Sequence, residues 1–89
     1  MADKIHLSVI SAGGVILDQM VSYVHIPAES GAIGVLPGHM PMLCAIEKGL
    51  ARCTFGESET IRFSVHDGVA HVAHDEVTFL VSGASVLAD

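Results

Sequence analysis

Apolar residues recur at every second position along most of the chain: Ile5, Leu7 and Val9; Met20, Val24 and Ile26, with Ser22 in the gap; Ile61, Phe63 and Val65; Val77, Phe79 and Val81. A period of two marks a strand with one face on a core, because successive side chains of an extended backbone point to opposite sides. The positions between carry His6, Ser8, His25, Arg62, Ser64, His66 and Thr78, the polar set expected on a face that meets water. No window of about 11 residues or more holds a helical repeat. Gly13-Gly14, Lys48-Gly49, Gly56-Glu57, Asp67-Gly68 and Asp75-Glu76 cut the chain into short strands. The pattern predicts an all-β fold, an antiparallel sandwich or barrel.

One stretch breaks the alternation. Pro27 to Leu43 holds all three prolines and three of the nine glycines, and reads as a shaped loop. Leu36-Pro37-Gly38-His39 fits a type II turn, with Pro pre-setting φ at the second position and Gly supplying a positive φ at the third. Ile33, Val35, Leu36, Met40, Met42 and Leu43 make it too apolar for a flexible linker. An ordered loop of this length in a small domain is where function is expected, although it also suits a loop that merely closes one end of a sandwich.

At 89 residues, 51% of them hydrophobic, the chain suits a single domain spanning residues 1–89. Size scaling predicts about 5,000 Å² of accessible surface for the folded chain. The longest unbroken apolar run, Met42 to Ile46, is five positions, far below the ~20 that cross a bilayer as a helix. The opening Met1-Ala2-Asp3-Lys4 has no basic region, apolar stretch or cleavage site of a signal peptide, which makes the cytosol the expected compartment. Ten acidic residues against four Lys and Arg give a formal charge of −6, which disfavours a phosphate backbone as partner. With one Tyr, three Phe and no Trp, stacking platforms for single-stranded bases are lacking too.

Candidate chemistry is sparse. Six histidines invite a metal reading, and His66, Asp67, His71, His74 and Asp75 fall within ten positions. If a strand from Val69 runs on through His74, however, His71 and His74 point to opposite faces and cannot share an ion. His66-Asp67-Gly68 and His74-Asp75-Glu76 read instead as polar turns at the two ends of one strand. Cys44 and Cys53 lie symmetrically about Lys48-Gly49, so a two-residue hairpin there would set them face to face. Reduced thiols packed as small hydrophobes are the favoured reading, since directly opposed strand positions strain a disulfide. No Gly-x-Ser-x-Gly, Cys-x-x-Cys or His-Glu-x-x-His motif is present, and Gly31 to Gly38 lacks the Lys and Ser/Thr of a phosphate cradle. His39 beside a rigid turn could serve as a base, but no carboxylate lies near it in sequence to orient the ring. Catalytic, cofactor-binding and metal-ligating residues are therefore all expected to be absent.

The run Gly31-Ala-Ile-Gly-Val-Leu-Pro-Gly-His-Met-Pro-Met-Leu-Cys-Ala-Ile46, followed by Lys48-Gly49-Leu-Ala-Arg52, resembles the Gly-x-x-Gly-(Ile/Val)-x-Pro-Gly-His-x-Pro-(Leu/Met)-Leu-x-x-Ile segment of the epsilon subunits of rotary F-type ATP synthases. Ile5 to Ala12 resembles that family's first strand. Asp67 to Val72 and Val77 to Leu80 resemble its last hairpin, so the likeness covers about residues 4 to 84. It implies a flattened ten-stranded β-sandwich of two five-stranded sheets, equivalent to the family's N-terminal domain. It also implies a central-stalk subunit that performs no chemistry. Such a subunit binds gamma and the membrane c-ring within the alpha/beta/gamma complex, and couples ion translocation to ATP synthesis or hydrolysis.

Carried across by position, the resemblance puts Glu29, Ser30, Gly31 and Ala32 at the c-ring and His39, Met42 and Cys44 toward gamma, with packing inside the domain as the other reading for His39 and Met42. The chain departs from the pattern at Ala32, where many relatives carry Glu, leaving Glu29 the only carboxylate of that loop. It also stops at Val86-Leu-Ala-Asp89, with no room for the C-terminal helical hairpin common in the family, so inhibition and nucleotide binding by those helices are not carried over. The implied location is the cytoplasmic side of a bacterial membrane, peripheral and held through protein partners. A free-standing β-sandwich interaction module is the alternative reading.

Overall fold

The computed structural model describes residues 4–87. Met1-Ala2-Asp3 and Ala88-Asp89, on which the readings of the two chain ends partly rest, lie outside the described residues. Ten strands follow in order: β1 (Ile5–Ser11), β2 (Gly14–Val21), β3 (Tyr23–Ala28), β4 (Gly31–Val35), β5 (Met42–Ile46), β6 (Gly49–Phe55), β7 (Glu59–Val65), β8 (Gly68–Ala73), β9 (Glu76–Val81) and β10 (Ala84–Val86). Pairing groups them as β4-β3-β6-β7-β10 and β5-β8-β9-β1-β2, two sheets of five. A single pair, Ala28 with Ile46, joins the sheets into one hydrogen-bonded network. The accessible surface is 5093 Å².

The alternating apolar residues form the interior. Ile5, Leu7 and Val9, Val24 and Ile26, Phe63 and Val65, and Val77, Phe79 and Val81 are all buried. Phe63 from the first sheet meets Phe79 from the second edge to face, with centroids 5.6 Å apart and planes at 61°. Among the described residues no polar or charged side chain is buried, so apolar burial between the two inner faces is what holds the sheets together.

Several sequence readings change. Met20, Val24 and Ile26 do not share one strand: β2 ends at Val21, which is buried, while Met20 is 48% exposed. The chain leaves the second sheet at Ser22 and enters the first, so parity reverses there. Ser22 fixes the crossing by donating from its N–H (2.8 Å) and its hydroxyl (3.1 Å) to the Thr54 carbonyl. The Pro27 to Leu43 loop contains a strand, β4, which pairs with β3 from Gly31 to Val35. Within it Leu36–His39 does turn: the His39 N–H donates to the Leu36 carbonyl at 3.1 Å, and Gly38 has φ +85°, as a type II turn requires.

The Lys48-Gly49 connection is no hairpin. β5 and β6 lie in opposite sheets, so Cys44 stands opposite Ala70 and Cys53 opposite Val24 and Ile61. Both thiols are free. One neighbouring pair, β1 with β9, is parallel. No hairpin ties the directions of these strands, and β1 enters beside the start of β9, where the His6 N–H donates to the Asp75 carbonyl at 2.9 Å.

Candidate functional site

The Glu29-Ser30 turn joins β3 to β4 at one end of the sandwich. Glu29, Ser30, Gly31 and Ala32 are all exposed. Gly31 has φ +126° with open space around it, so glycine is needed there for its backbone conformation alone. The Glu29 N–H donates to the Ala45 carbonyl at 2.9 Å and the Glu47 N–H to the Pro27 carbonyl at 3.0 Å. These bonds bring a second carboxylate, Glu47, beside the turn. Ile46 pairs with both Ala28 and Gly68, so Asp67 belongs to the same end. Sequence reading missed this cluster because its members are neighbours only through strand pairing.

Leu36–His39 lies at the opposite end. The Gly38 N–H donates to the Asp75 carboxylate at 2.8 Å, tying this turn to the one between β8 and β9. There His74 and Asp75 have φ of 52° and 59°, the left-handed pair that a two-residue hairpin of type I′ demands. His39 Nδ1 donates to the Met40 carbonyl at 2.7 Å, so its ring is held by local main chain. Met42 and Cys44 share the parity of Ile46 and pack against the core. Burial pushes the Cys44 thiol above its ordinary pKa. The structure therefore does not gather His39, Met42 and Cys44 on one outward surface.

The outward residues of β5 are Leu43, 68% exposed, and Ala45. Strand register carries Ala45 to Val69, Leu80, Ile10 and Val15 in turn, one residue from each strand of the second sheet. All five share the outer face, and Val69, Leu80 and Val15 are exposed. A continuous apolar row on an outer face is a docking surface in waiting. The period-two reading treated that face as watered. Its signal was present in two unbroken apolar runs, Met42 to Ile46 and Phe79-Leu80-Val81, since strands covered on both faces lose their alternation.

Beside this row, His6 Nε2 lies 2.7 Å from the Asp18 carboxylate and Nδ1 lies 3.9 Å from Glu76. The hydrogen bond to Asp18 raises the His6 pKa above its ordinary value, with Glu76 adding to it. Among the described residues no three His, Cys, Asp or Glu side chains come together as a metal site requires. His66 and His74 sit at opposite ends of β8, with His71 on its outer face.

Comparison with known proteins adds the family. The family model described as ATP synthase, Delta/Epsilon chain, beta-sandwich domain matches residues 4–86. An ATP synthase epsilon chain of Lawsonia intracellularis is 32% identical over 84 residues, covering 94% of this chain and 62% of that one. One of Hyphomonas neptunium is 34% identical over 89 residues, covering 100% and 66%. The chain thus spans about three-fifths of the length of the curated relatives it matches. Among solved structures, a chain of the Euglena gracilis mitochondrial ATP synthase OSCP/F1/c-ring assembly superposes with a TM-score of 0.87 at 22% identity, covering 93% of this chain and 53% of that one. A chain from the Tetrahymena thermophila mitochondrial ATP synthase central stalk and c-ring gives 0.74 at 11%, covering 92% and 66%. At these identities the superpositions establish a shared fold.

Proposed function

The chain belongs to the ATP synthase delta/epsilon-chain β-sandwich family, and on that premise we propose that it is a non-catalytic rotor subunit of the central stalk of an F-type ATP synthase. In this reading it binds gamma and the c-ring, turns with both, and couples ion flow to ATP synthesis or hydrolysis. It sits peripherally at the cytoplasmic side of a bacterial membrane, held through these proteins.

The observation that carries the proposal is the apolar row Ala45, Val69, Leu80, Ile10 and Val15 across the second sheet. Full burial of a Leu or Val side chain is worth about 1.5–3 kcal/mol, so even partial cover of this row favours a protein partner. Gamma is its occupant, with Leu43 extending the row and Met42 and Cys44 supporting it from the core side. The carboxylate-bearing end, Glu29 to Ala32 with Glu47, faces the c-ring loops, where complementary charge sets orientation more than affinity. Torque transfer needs both surfaces on a body that does not shear, and a sandwich with two interlocked sheets meets that requirement.

The test is affinity capture of the tagged chain from gently solubilised membranes of its source organism, with stoichiometry by mass spectrometry. Gamma, alpha, beta and ring subunits are expected with the wild-type chain. Leu80→Ser should lower gamma recovery, and Glu29→Lys should make ring recovery sensitive to salt. Recovery of the chain alone, or with unrelated proteins, overturns the stalk assignment in favour of a free-standing interaction module.

A further inference from the structure

The outer face of the first sheet has the opposite chemistry. The chain holds four Lys and Arg against ten Asp and Glu, yet both its arginines stand directly opposite one another. Arg52 on β6 pairs with Arg62 on β7, and on its other side with His25 on β3. Like charges at directly opposed strand positions disfavour the sheet, and both arginines are exposed, so the core does not require them. His25, Arg52 and Arg62 line a shallow depression of about 360 Å³, with Leu50 as its exposed apolar part.

An aromatic ring supports the Arg52 guanidinium. The Arg52 Cζ lies 5.7 Å from the centroid of the Tyr23 ring, within the range of a cation–π contact. Gly34, opposite His25 on β4, leaves space for that ring, since a Cβ there would lie 2.9 Å from the Tyr23 hydroxyl oxygen. The Gly-x-x-Gly spacing therefore serves two ends: Gly31 for a backbone conformation, Gly34 for an aromatic support under Arg52.

We propose that this depression docks an acidic polypeptide segment of a partner protein, with Arg52 and Arg62 receiving its Asp or Glu carboxylates. Guanidinium forks match carboxylate geometry and hold it through paired hydrogen bonds. The depression is shallow, and Leu50 at its wall is 56% exposed. A carboxylate carried on a larger apolar-edged surface covers that opening, whereas a free small anion leaves it in water. The chain's formal charge of −6, which already counts both arginines, repels the same partner elsewhere and so confines docking to this face. The surface lies on the sheet opposite the second-sheet row, and the inference goes beyond the stalk assignment without depending on it.

The test uses the isolated chain, isotopically labelled, titrated with a peptide of alternating Ser and Glu while amide shifts are followed. Saturable shifts are expected at His25, Leu50, Ala51, Arg52 and Arg62, weakening as salt rises. Arg52→Gln with Arg62→Gln should cost roughly tenfold or more in affinity, whereas Lys48→Gln, which removes one positive charge elsewhere and is matched by Arg62→Gln alone, should cost less than about twofold. Retained amide dispersion verifies folding of the double variant, and Arg62→Gln alone serves if dispersion is lost. Scattered or absent shifts overturn the proposal, as does an equal loss in Lys48→Gln. Inorganic phosphate saturating the same amides at the same concentration overturns it too, by making the depression a site for any small anion.

Discussion

Replacing Phe63 tests how firmly the two sheets grip each other. Phe63 on β7 and Phe79 on β9 are wholly buried and meet edge to face at 5.6 Å, so each ring is the other's contact across the layers. Truncation of such a ring to Ala costs about 3–5 kcal/mol. The whole domain, at 0.05–0.15 kcal/mol per residue, is expected to hold about 4–13 kcal/mol, so Phe63→Ala approaches unfolding. Phe63→Leu and Phe79→Leu keep an apolar filling, and each should cost about 1–2 kcal/mol. Beyond area, an aromatic pair adds about 0.5–1.5 kcal/mol. A cycle of the two single variants and the double, measured by urea unfolding with circular dichroism, should return a coupling of that size at constant slope. Additivity within about 0.3 kcal/mol would refute the reasoning, because the rings would then fill the interior without locking one sheet to the other.

Three further outcomes are expected. His6 is more basic folded than unfolded, so its pairing with Asp18 stabilises the fold fully below the unfolded pKa of about 6.5 and is lost as pH rises through the higher folded value. The melting temperature should therefore decline across that window, and Asp18→Asn should flatten the slope. Gly34→Ala should push the Tyr23 ring aside, since the new Cβ falls 2.9–3.3 Å from its hydroxyl oxygen and ring carbons. The cost should be about 0.5–1 kcal/mol, the worth of an exposed cation–π contact, read out by the emission of the chain's one Tyr in the absence of Trp; unchanged emission and unfolding midpoint would contradict it. Burial raises the pKa of both thiols, and the thiolate is the reactive form, so a disulfide reagent should modify both slowly, with half-buried Cys44 ahead of buried Cys53. A mass lighter by two hydrogens without reductant would show that the two thiols can meet, contrary to their places in opposite sheets.

Whatever rests on local chemistry was legible in the chain. Ile5, Leu7 and Val9 alternate because one face of a sandwich strand meets the core, and Pro37-Gly38 turns because its two residues supply the φ angles needed. What rests on pairing between distant segments was not. Ser22 carries no mark that the chain changes sheets there, so periodicity alone places Met20 with Val24. Residues 31–35 read as loop because Gly31, Gly34 and the flanking prolines conceal a strand, β4, whose partner, β3, supplies the order. A hairpin, the common way to join consecutive strands, would set Cys44 and Cys53 face to face, yet the Glu47 N–H bond to Pro27 sends the chain across the layers instead. The resemblance supplied the two sheets and the family. It could not say which way Met42 and Cys44 point, since parity within β5 is set by Ile46 meeting Ala28 and Gly68.

Residues 79 and 80 separate the two demands placed on this chain. Phe79 faces inward against Phe63, and its neighbour Leu80 faces outward between Val69 and Ile10. The pleat sends adjacent side chains to opposite faces, so the inner set can stay fixed by packing while the outer set is free to be shaped by a partner. The same division holds on the first sheet, where buried Ala51 and Cys53 flank exposed Arg52. An outer row that is apolar on one sheet and cationic on the other, with Glu29, Glu47 and Asp67 at one end, is not set by the core, since none of those side chains contributes to it. Such segregation on a body only 35 × 29 × 23 Å across gives each surface its own direction of approach. The stalk role proposed above, with one body gripped on several sides and turned as one piece, would use that arrangement.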